Sequence, residues 1–160
     1  ETVEKVVSKE DVDLDLSAIL YTASGDHVET VYYGNLKTVG IKHSGDDQQG
    51  DDENDDSDNE TISINLDSVQ SNVSKIVFVL VSFKGQKFGK LPYAGINLYD
   101  GADMIATTKV DVAKDDIYSD KVSMIFASLE KINGEWSYKA ICEPTSKNKL
   151  AELVSIARDK

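Results

Sequence analysis

The sequence predicts an all-β fold, a β-sandwich of two antiparallel sheets with a short C-terminal helix. Three observations predict it. Apolar and polar residues alternate over short runs through most of the chain. Turn signals such as Ser24-Gly25-Asp26 and Asn133-Gly134 separate those runs. Helical spacing is confined to the tail, so the strand–helix alternation of a doubly wound nucleotide fold is missing.

The first clear strand is DVDLDLSAILY, Asp11 to Tyr21. It puts Leu14, Leu16, Ala18 and Leu20 on one face and Asp13, Asp15 and Ser17 on the other. VETVYY (Val28 to Tyr33) follows the Ser24-Gly25-Asp26 turn. TISINL (Thr61 to Leu66) alternates with Ile62, Ile64 and Leu66 inward. SKIVFVLVSF (Ser74 to Phe83) is apolar on both faces, as a central strand of a sandwich is. YAGINLYD (Tyr93 to Asp100), MIATTKVDV (Met104 to Val112) and KVSMIFASLEKI (Lys121 to Ile132) are further strands. Asn133-Gly134 joins the last of these to EWSYKAICE. Both residues tolerate the positive φ of a two-residue hairpin turn. KNKLAELVSIARDK reads as helix, with Leu150, Leu153, Val154 and Ala157 on one stripe and Thr145 or Ser146 as its cap.

The 160 residues fit one domain with a real core. Formal net charge is −12, from 29 acidic and 17 basic residues. Nine of the carboxylates fall in GDDQQGDDENDDSDNE, Gly45 to Glu60; without them 20 acidic residues face 17 basic ones. The acidity is therefore local, which argues for a site rather than a generally acidic surface. No basic stripe is visible, which argues against nucleic acid as a direct partner. The longest apolar run, Ile76 to Val81, is too short for a transmembrane segment. A single cysteine, Cys142, rules out an internal disulfide and suits a reducing compartment.

Three readings compete for the acidic loop. It is a solvated insertion between strands, an acidic segment that docks a basic partner, or a divalent-metal site. Two unit charges 4 Å apart repel by about 4 kcal/mol at an effective dielectric near 20, so a compact loop of this kind requires counter-charge. Its donors are hard oxygens, which selects Ca²⁺ or Mg²⁺ over Zn²⁺ or Cu²⁺; Ca²⁺, with six to eight oxygens in irregular geometry, fits a flexible loop better. The pattern is not an EF-hand, because Gly50 follows Gln49 rather than a ligand triplet. Asp13 and Asp15 share one face of their strand. That is either a solvent face or, next to the loop, part of a cage.

Other polar residues carry less. His27 and His43 read as exposed polar residues, since neither has a Ser or Cys nucleophile motif beside it. Cys142 and Trp136 read as packing residues. Lys84, Lys87 and Lys90 read as solvated lysines, and the Gly85 and Gly89 pair lacks the Gly-Lys-Ser/Thr of a phosphate loop. With no nucleophile or base standing out, the chain is read as a non-enzyme.

Four blocks, in order from about Asp11 to Leu153, resemble the TerD family of tellurium-resistance and general stress proteins. They are DVDLDLSAILY, HSGDDQQG…DNETISINL, SKIVFVLVSF…QKFGKLPYAGINLYD and SMIFASLEKINGEWSYKAI. The resemblance implies a single domain over residues 1–160, a β-sandwich that binds calcium through an acidic loop at 44–60. It implies a role in stress and tellurite resistance in the cytoplasm. Partners would be other resistance proteins, some of them at the inner face of the membrane. By position it implies that Asp46 and Asp47 match the family's G-D-N segment and Gly50 the glycine that follows. Asp58, Asn59 and Glu60 match its D-D-E end, and Asp13 and Asp15 its D-L-D strand. Asp51, Asp52, Asp55 and Asp56 have no one-to-one match, because this loop is three residues longer than the family's; Asp51, Asp52 and Asp56 are included in the expected ligand set. Asn59 stands where the family has Asp, and the family's early strands are either missing or truncated, or replaced by ETVEKVVSKEDV. Two Ca²⁺ ions would cancel four of the nine loop charges. The competing function is a nucleotide- or phosphate-ligand-binding module that uses the bound metal.

Overall fold

The computed structural model describes residues 2–7, 14–44, 61–82, 87, 94–100, 103–110, 118 and 120–160. Its strands are β1 (Thr2–Val7), β2 (Asp15–Tyr21), β3 (His27–Val31), β4 (Lys37–Thr38), β5 (Ile41–His43) and β6 (Thr61–Ile64). They continue with β7 (Lys75–Val81), β8 (Ala94–Asp100), β9 (Asp103–Val110), β10 (Ser123–Ile132) and β11 (Glu135–Thr145), followed by helix α1 (Leu150–Ala157). A six-stranded sheet runs β4-β5-β6-β1-β8-β9, and a five-stranded sheet runs β11-β10-β7-β2-β3. The strand pairings in both sheets are antiparallel. This is the expected sandwich with its C-terminal helix.

The main core lies between the sheets. Leu14, Leu16, Ala18 and Leu20 enter it from the five-stranded side with Ile76, Phe78 and Leu80. Ile41, Ile62, Ile64, Ile96 and Leu98 meet them from the six-stranded side. The alternation read in DVDLDLSAILY thus points the correct residues inward.

A second core lies on the outer face of the five-stranded sheet. Helix α1 covers Ile19, Tyr21, Val77, Val79, Val81 and Ile125 with Leu153 and Ala157, both fully buried. That explains why Ile76 to Val81 is apolar on both faces: one face meets the other sheet and the other meets the helix. The Tyr21 hydroxyl donates to the Val154 carbonyl at 2.6 Å and ties the helix to the sheet. Lys75 Nζ reaches the Arg158 carbonyl at 3.0 Å, and Lys160 pairs with Glu143 at 2.8 Å.

Several details depart from the sequence reading. Thr2–Val7 forms a strand in the middle of the six-stranded sheet, between β6 and β8. The short strands β4 and β5 were also not anticipated. Neither Thr145 nor Ser146 caps α1: Thr145 closes β11, its Oγ1 takes the Lys147 N–H at 3.0 Å, and the helix begins beyond it at Lys149 with no side-chain cap. The Asn133-Gly134 hairpin forms as expected, with φ of 52° and 83°.

Candidate metal centre

The expected ligands divide sharply. Asp13, Asp46, Asp47, Gly50, Asp51, Asp52, Asp56, Asp58, Asn59 and Glu60 lie outside the described residues. Asp15 and both ends of the loop lie within them, so the structure fixes where the acidic segment leaves and re-enters the sandwich.

The stem is built from β5 and β6. These strands pair in register Ile41↔Ile64, Lys42↔Ser63 and His43↔Ile62. One residue beyond, the Ser44 N–H donates to the Thr61 carbonyl at 2.8 Å, and the Thr61 N–H donates to Ser44 Oγ at 2.9 Å. The sixteen residues that carry nine carboxylates therefore start and finish at one closed gate on the six-stranded sheet.

His43 joins this stem to the other sheet. The sequence reading took it for an exposed residue, and the structure corrects that: His43 is 2% exposed. Alternation in β5 turns Ile41 and His43 inward and Lys42 outward. The imidazole Nε2 lies 2.9 Å from the Leu16 carbonyl of β2. A carbonyl only accepts, so Nε2 carries the proton. That nitrogen is committed to the protein and is not a metal ligand. The signal was the short pattern Ile41-x-His43, too brief to recognise as a strand without its partner β6.

The Leu16 carbonyl is next to Asp15, the first residue of β2. Asp15 is 6% exposed. By strand alternation it lies on the outer face with Ser17, Ile19 and Tyr21, at the same end of the sandwich as the Ser44–Thr61 stem. The sequence left open whether this face meets solvent. It does not: Asp15 and Ser17 are buried, and α1 packs on Ile19 and Tyr21 further along the same face. Ser123 Oγ donates to the Lys147 carbonyl at 2.6 Å, and Asn148 Nδ2 to the Ser82 carbonyl at 3.4 Å. Beside Asp15, the Ser17 hydroxyl is fully buried and has no hydrogen-bond partner; Ser82 and Ser128 hydroxyls are in the same condition. A buried hydroxyl without a partner is costly. The donor set is oxygen only, which fits a hard divalent cation and not a thiolate- or imidazole-bound metal.

Among the described residues no group of three or more His, Cys, Asp or Glu comes close enough to hold a metal ion. Asp15 is therefore in no such group among the described residues. Two other features stand apart from this end. A cavity of about 360 Å³ is lined by Ile64, Asn65, Leu66 and Asp67, at the far end of β6 from the stem. Cys142 is half-buried at a bulge in β11, opposite Phe126, with φ of 55°, and burial pushes its thiol pKa up. It is therefore a poor nucleophile, as the sequence reading held. His27 is exposed, as expected, and its Nε2 meets Thr30 Oγ1 at 2.9 Å. Trp136 packs against the main core with Lys131 Nζ 5.9 Å from its ring centroid. Lys87 is exposed, while Lys84 and Lys90 lie outside the described residues. No helix among the described residues is long and apolar enough to cross a membrane.

Comparison with known proteins gives this architecture a lineage. The chain is similar to the tellurium resistance protein TerD of Serratia marcescens, 32% identical over 141 residues, 82% of this chain and 71% of that protein. It is similar to the stress response protein SCP2 of Bacillus subtilis, 31% identical over 152 residues, 90% of this chain and 74% of that protein. The fold resembles a solved homologue of telluride resistance protein (TerD) from Streptomyces coelicolor A3(2). There the TM-score is 0.69 and the identity 14%, with 94% of each chain covered. A solved protein of unknown function is also similar, with a TM-score of 0.74 at 15% identity over 98% of this chain and 96% of that one. The profile of the TerD domain matches residues 2–156, and with these relatives it establishes that the chain belongs to the TerD domain family.

Proposed function

We propose that this chain is a calcium-binding, non-enzymatic module that serves tellurium resistance and the stress response in the cytoplasm. The resistance and stress role rests on the relatives, whose names carry it. The calcium reading rests on one observation: nine carboxylates are strung between two residues that are hydrogen-bonded to each other, at the end of the sandwich where Asp15 is buried. Asp15, with Asp13, Asp46, Asp47, Asp51, Asp52, Asp56, Asp58, Asn59 and Glu60, would supply oxygens to the cation, with the Gly50 backbone beside them. Bound Ca²⁺ supplies positive charge that offsets their mutual repulsion and gives the acidic end a defined shape. Other stress and tellurite-resistance proteins are the partners that such a surface would recognise.

The test is thermal unfolding with calcium and with a chelator. At a hundred times its dissociation constant, a single bound ion stabilises the folded state by about 2.7 kcal/mol. For a chain of this length that raises Tm by roughly 5–11 °C. Equal melting temperatures in the two solutions, up to millimolar calcium, would overturn the proposal.

A further inference from the structure

We infer that α1 is an exchangeable element: the outer face of the five-stranded sheet takes the α1 of a second copy of this chain in place of its own, giving a swapped dimer. The inference goes beyond the calcium reading and is independent of it.

Four observations carry it. First, α1 has eight residues, of which Leu153 and Ala157 are fully buried and Val154 and Ile156 partly so. Helices shorter than about 12–15 residues are marginal by themselves in water. This one exists because Leu153 and Ala157 enter the outer core with Ile19, Tyr21, Val77 and Ile125. A unit held in that way opens at a lower free energy than the strands beneath it. Second, each bond that fastens it joins one sheet side chain to one helix carbonyl. The Tyr21 hydroxyl donates to Val154 at 2.6 Å, and Lys75 Nζ to Arg158 at 3.0 Å. A helix from a second copy satisfies the same groups with no new surface, so an exchanged pair keeps the helix contacts of two monomers.

Third, the connection from β11 to α1, Ser146 to Lys149, is short and lies just beyond strain. Cys142 has φ of 55° at the β11 bulge, a conformation that costs a residue other than glycine. A short hinge beside strain is a setting that invites swapping. Single bonds hold this hinge down: Ser123 Oγ to the Lys147 carbonyl at 2.6 Å and Asn148 Nδ2 to the Ser82 carbonyl at 3.4 Å. Four extended residues span roughly 13 Å, enough to carry a helix about 10–12 Å thick clear of its own sheet. Fourth, the face is not wholly apolar. Ser17 pairs with Val79 and Ser128 with Val77, so both serines project on the side where α1 packs. Their hydroxyls are buried and have no hydrogen-bond partner. Lifting α1 admits water to that face, which favours the open form relative to a fully satisfied interface.

The experiment uses the full chain in chelator, as an equal mixture of isotopically heavy and light protein. The mixture is held at high concentration a few degrees below its Tm, cooled, and separated by size with light scattering. A dimer fraction that rises with protein concentration is expected. Lys139 Nζ lies 3.3 Å from the Lys160 carbonyl, so an amine cross-linker joins these two lysines. In the dimer that cross-link connects heavy to light chains; in the monomer it stays within one chain. Hydrogen exchange in the monomer shows α1 amides exchanging through an opening that leaves β7 protected. A labelled synthetic peptide of residues 147–160 probes the face directly and suppresses the dimer. Leu153→Asp undocks the helix; that variant forms no dimer and binds the peptide about tenfold or more tightly than wild type, because its own α1 no longer competes.

A chain that stays monomeric at every concentration, a dimer whose Lys139–Lys160 cross-links remain within one chain, or α1 amides that exchange only together with β7 would each overturn the inference. So would a folded Leu153→Asp with no gain in peptide affinity. If that variant fails to fold, the cross-link pattern of the wild type decides alone. These readouts are taken without calcium, so their failure leaves the calcium reading as it stands.

Discussion

Replacing Tyr21 with Phe isolates the tie between α1 and the five-stranded sheet. The ring is fully buried in the outer core, edge-on to His27 with centroids 6.2 Å apart, and Phe keeps that packing. Only the hydroxyl goes, and with it the 2.6 Å bond to the Val154 carbonyl. A buried neutral hydrogen bond contributes about 0.5–1.5 kcal/mol net, because the unfolded hydroxyl is hydrated. At roughly 2–4 °C per kcal/mol for a chain of this size, Tm falls by about 1–6 °C. Burial also pushes the Tyr21 hydroxyl pKa far above its ordinary value of 10.0. The folded form therefore keeps its proton where the unfolded chain releases it. The stability from this group is whole below about pH 10 and is lost as pH rises above it. Tyr21→Phe should lack this part of the alkaline decline. Calorimetric melts at pH 7 and pH 10.5 measure both effects, and hydrogen exchange of the α1 amides shows whether the helix has loosened. A variant as stable as wild type at pH 7, with the same alkaline decline and unchanged helix protection, would refute the assignment of this bond as the helix tether.

Further predictions concern backbone, edge and thiol. Gly40→Ala destabilises by at least about 2 kcal/mol in denaturant melts: φ is +78°, and the new Cβ would lie 2.8 Å from the Val69 nitrogen and 3.0 Å from the Asn65 carbonyl oxygen, both backbone atoms. Glu29→Gln costs about 1 kcal/mol at pH 7, because the carboxylate links the edges of both sheets by accepting from Thr38 Oγ1 and, at 3.0 Å, from Asn35 Nδ2. Those bonds hold the Glu29 pKa below its ordinary value of 4.5. Its contribution is therefore present above that value and lost as pH falls through the folded pKa, so wild type and Glu29→Gln converge in acid melts. Cys142 alkylates more slowly at pH 8 than an unfolded control, since burial raises its thiol pKa.

How much of this was legible depends on how local each signal is. The two faces of β2 and the Asn133-Gly134 hairpin could be read because alternation and turn chemistry act within a few residues. The helix stripe was legible as well, but not what it covers; the burial of Asp15 and Ser17 on the face where α1 packs was therefore left open. Strand β1 was missed because its partners are β6 and β8, distant in sequence, and TVEKVV carries little contrast between faces. His43 was misjudged for a related reason. Its burial comes from a three-residue strand whose register is set by Ile62 and Ile64, across the acidic insertion. The loop itself was conspicuous in composition, and composition fixes the kind of donor atoms but not their arrangement.

The most direct trial is a calorimetric titration of the chelator-treated chain with Ca²⁺, run beside a variant carrying Asp51→Asn, Asp52→Asn, Asp56→Asn and Asp58→Asn. Saturable heat from the wild type, approaching two ions per chain and abolished or greatly weakened in the variant, is the expected result. A flat trace from folded wild-type protein at millimolar calcium would contradict it.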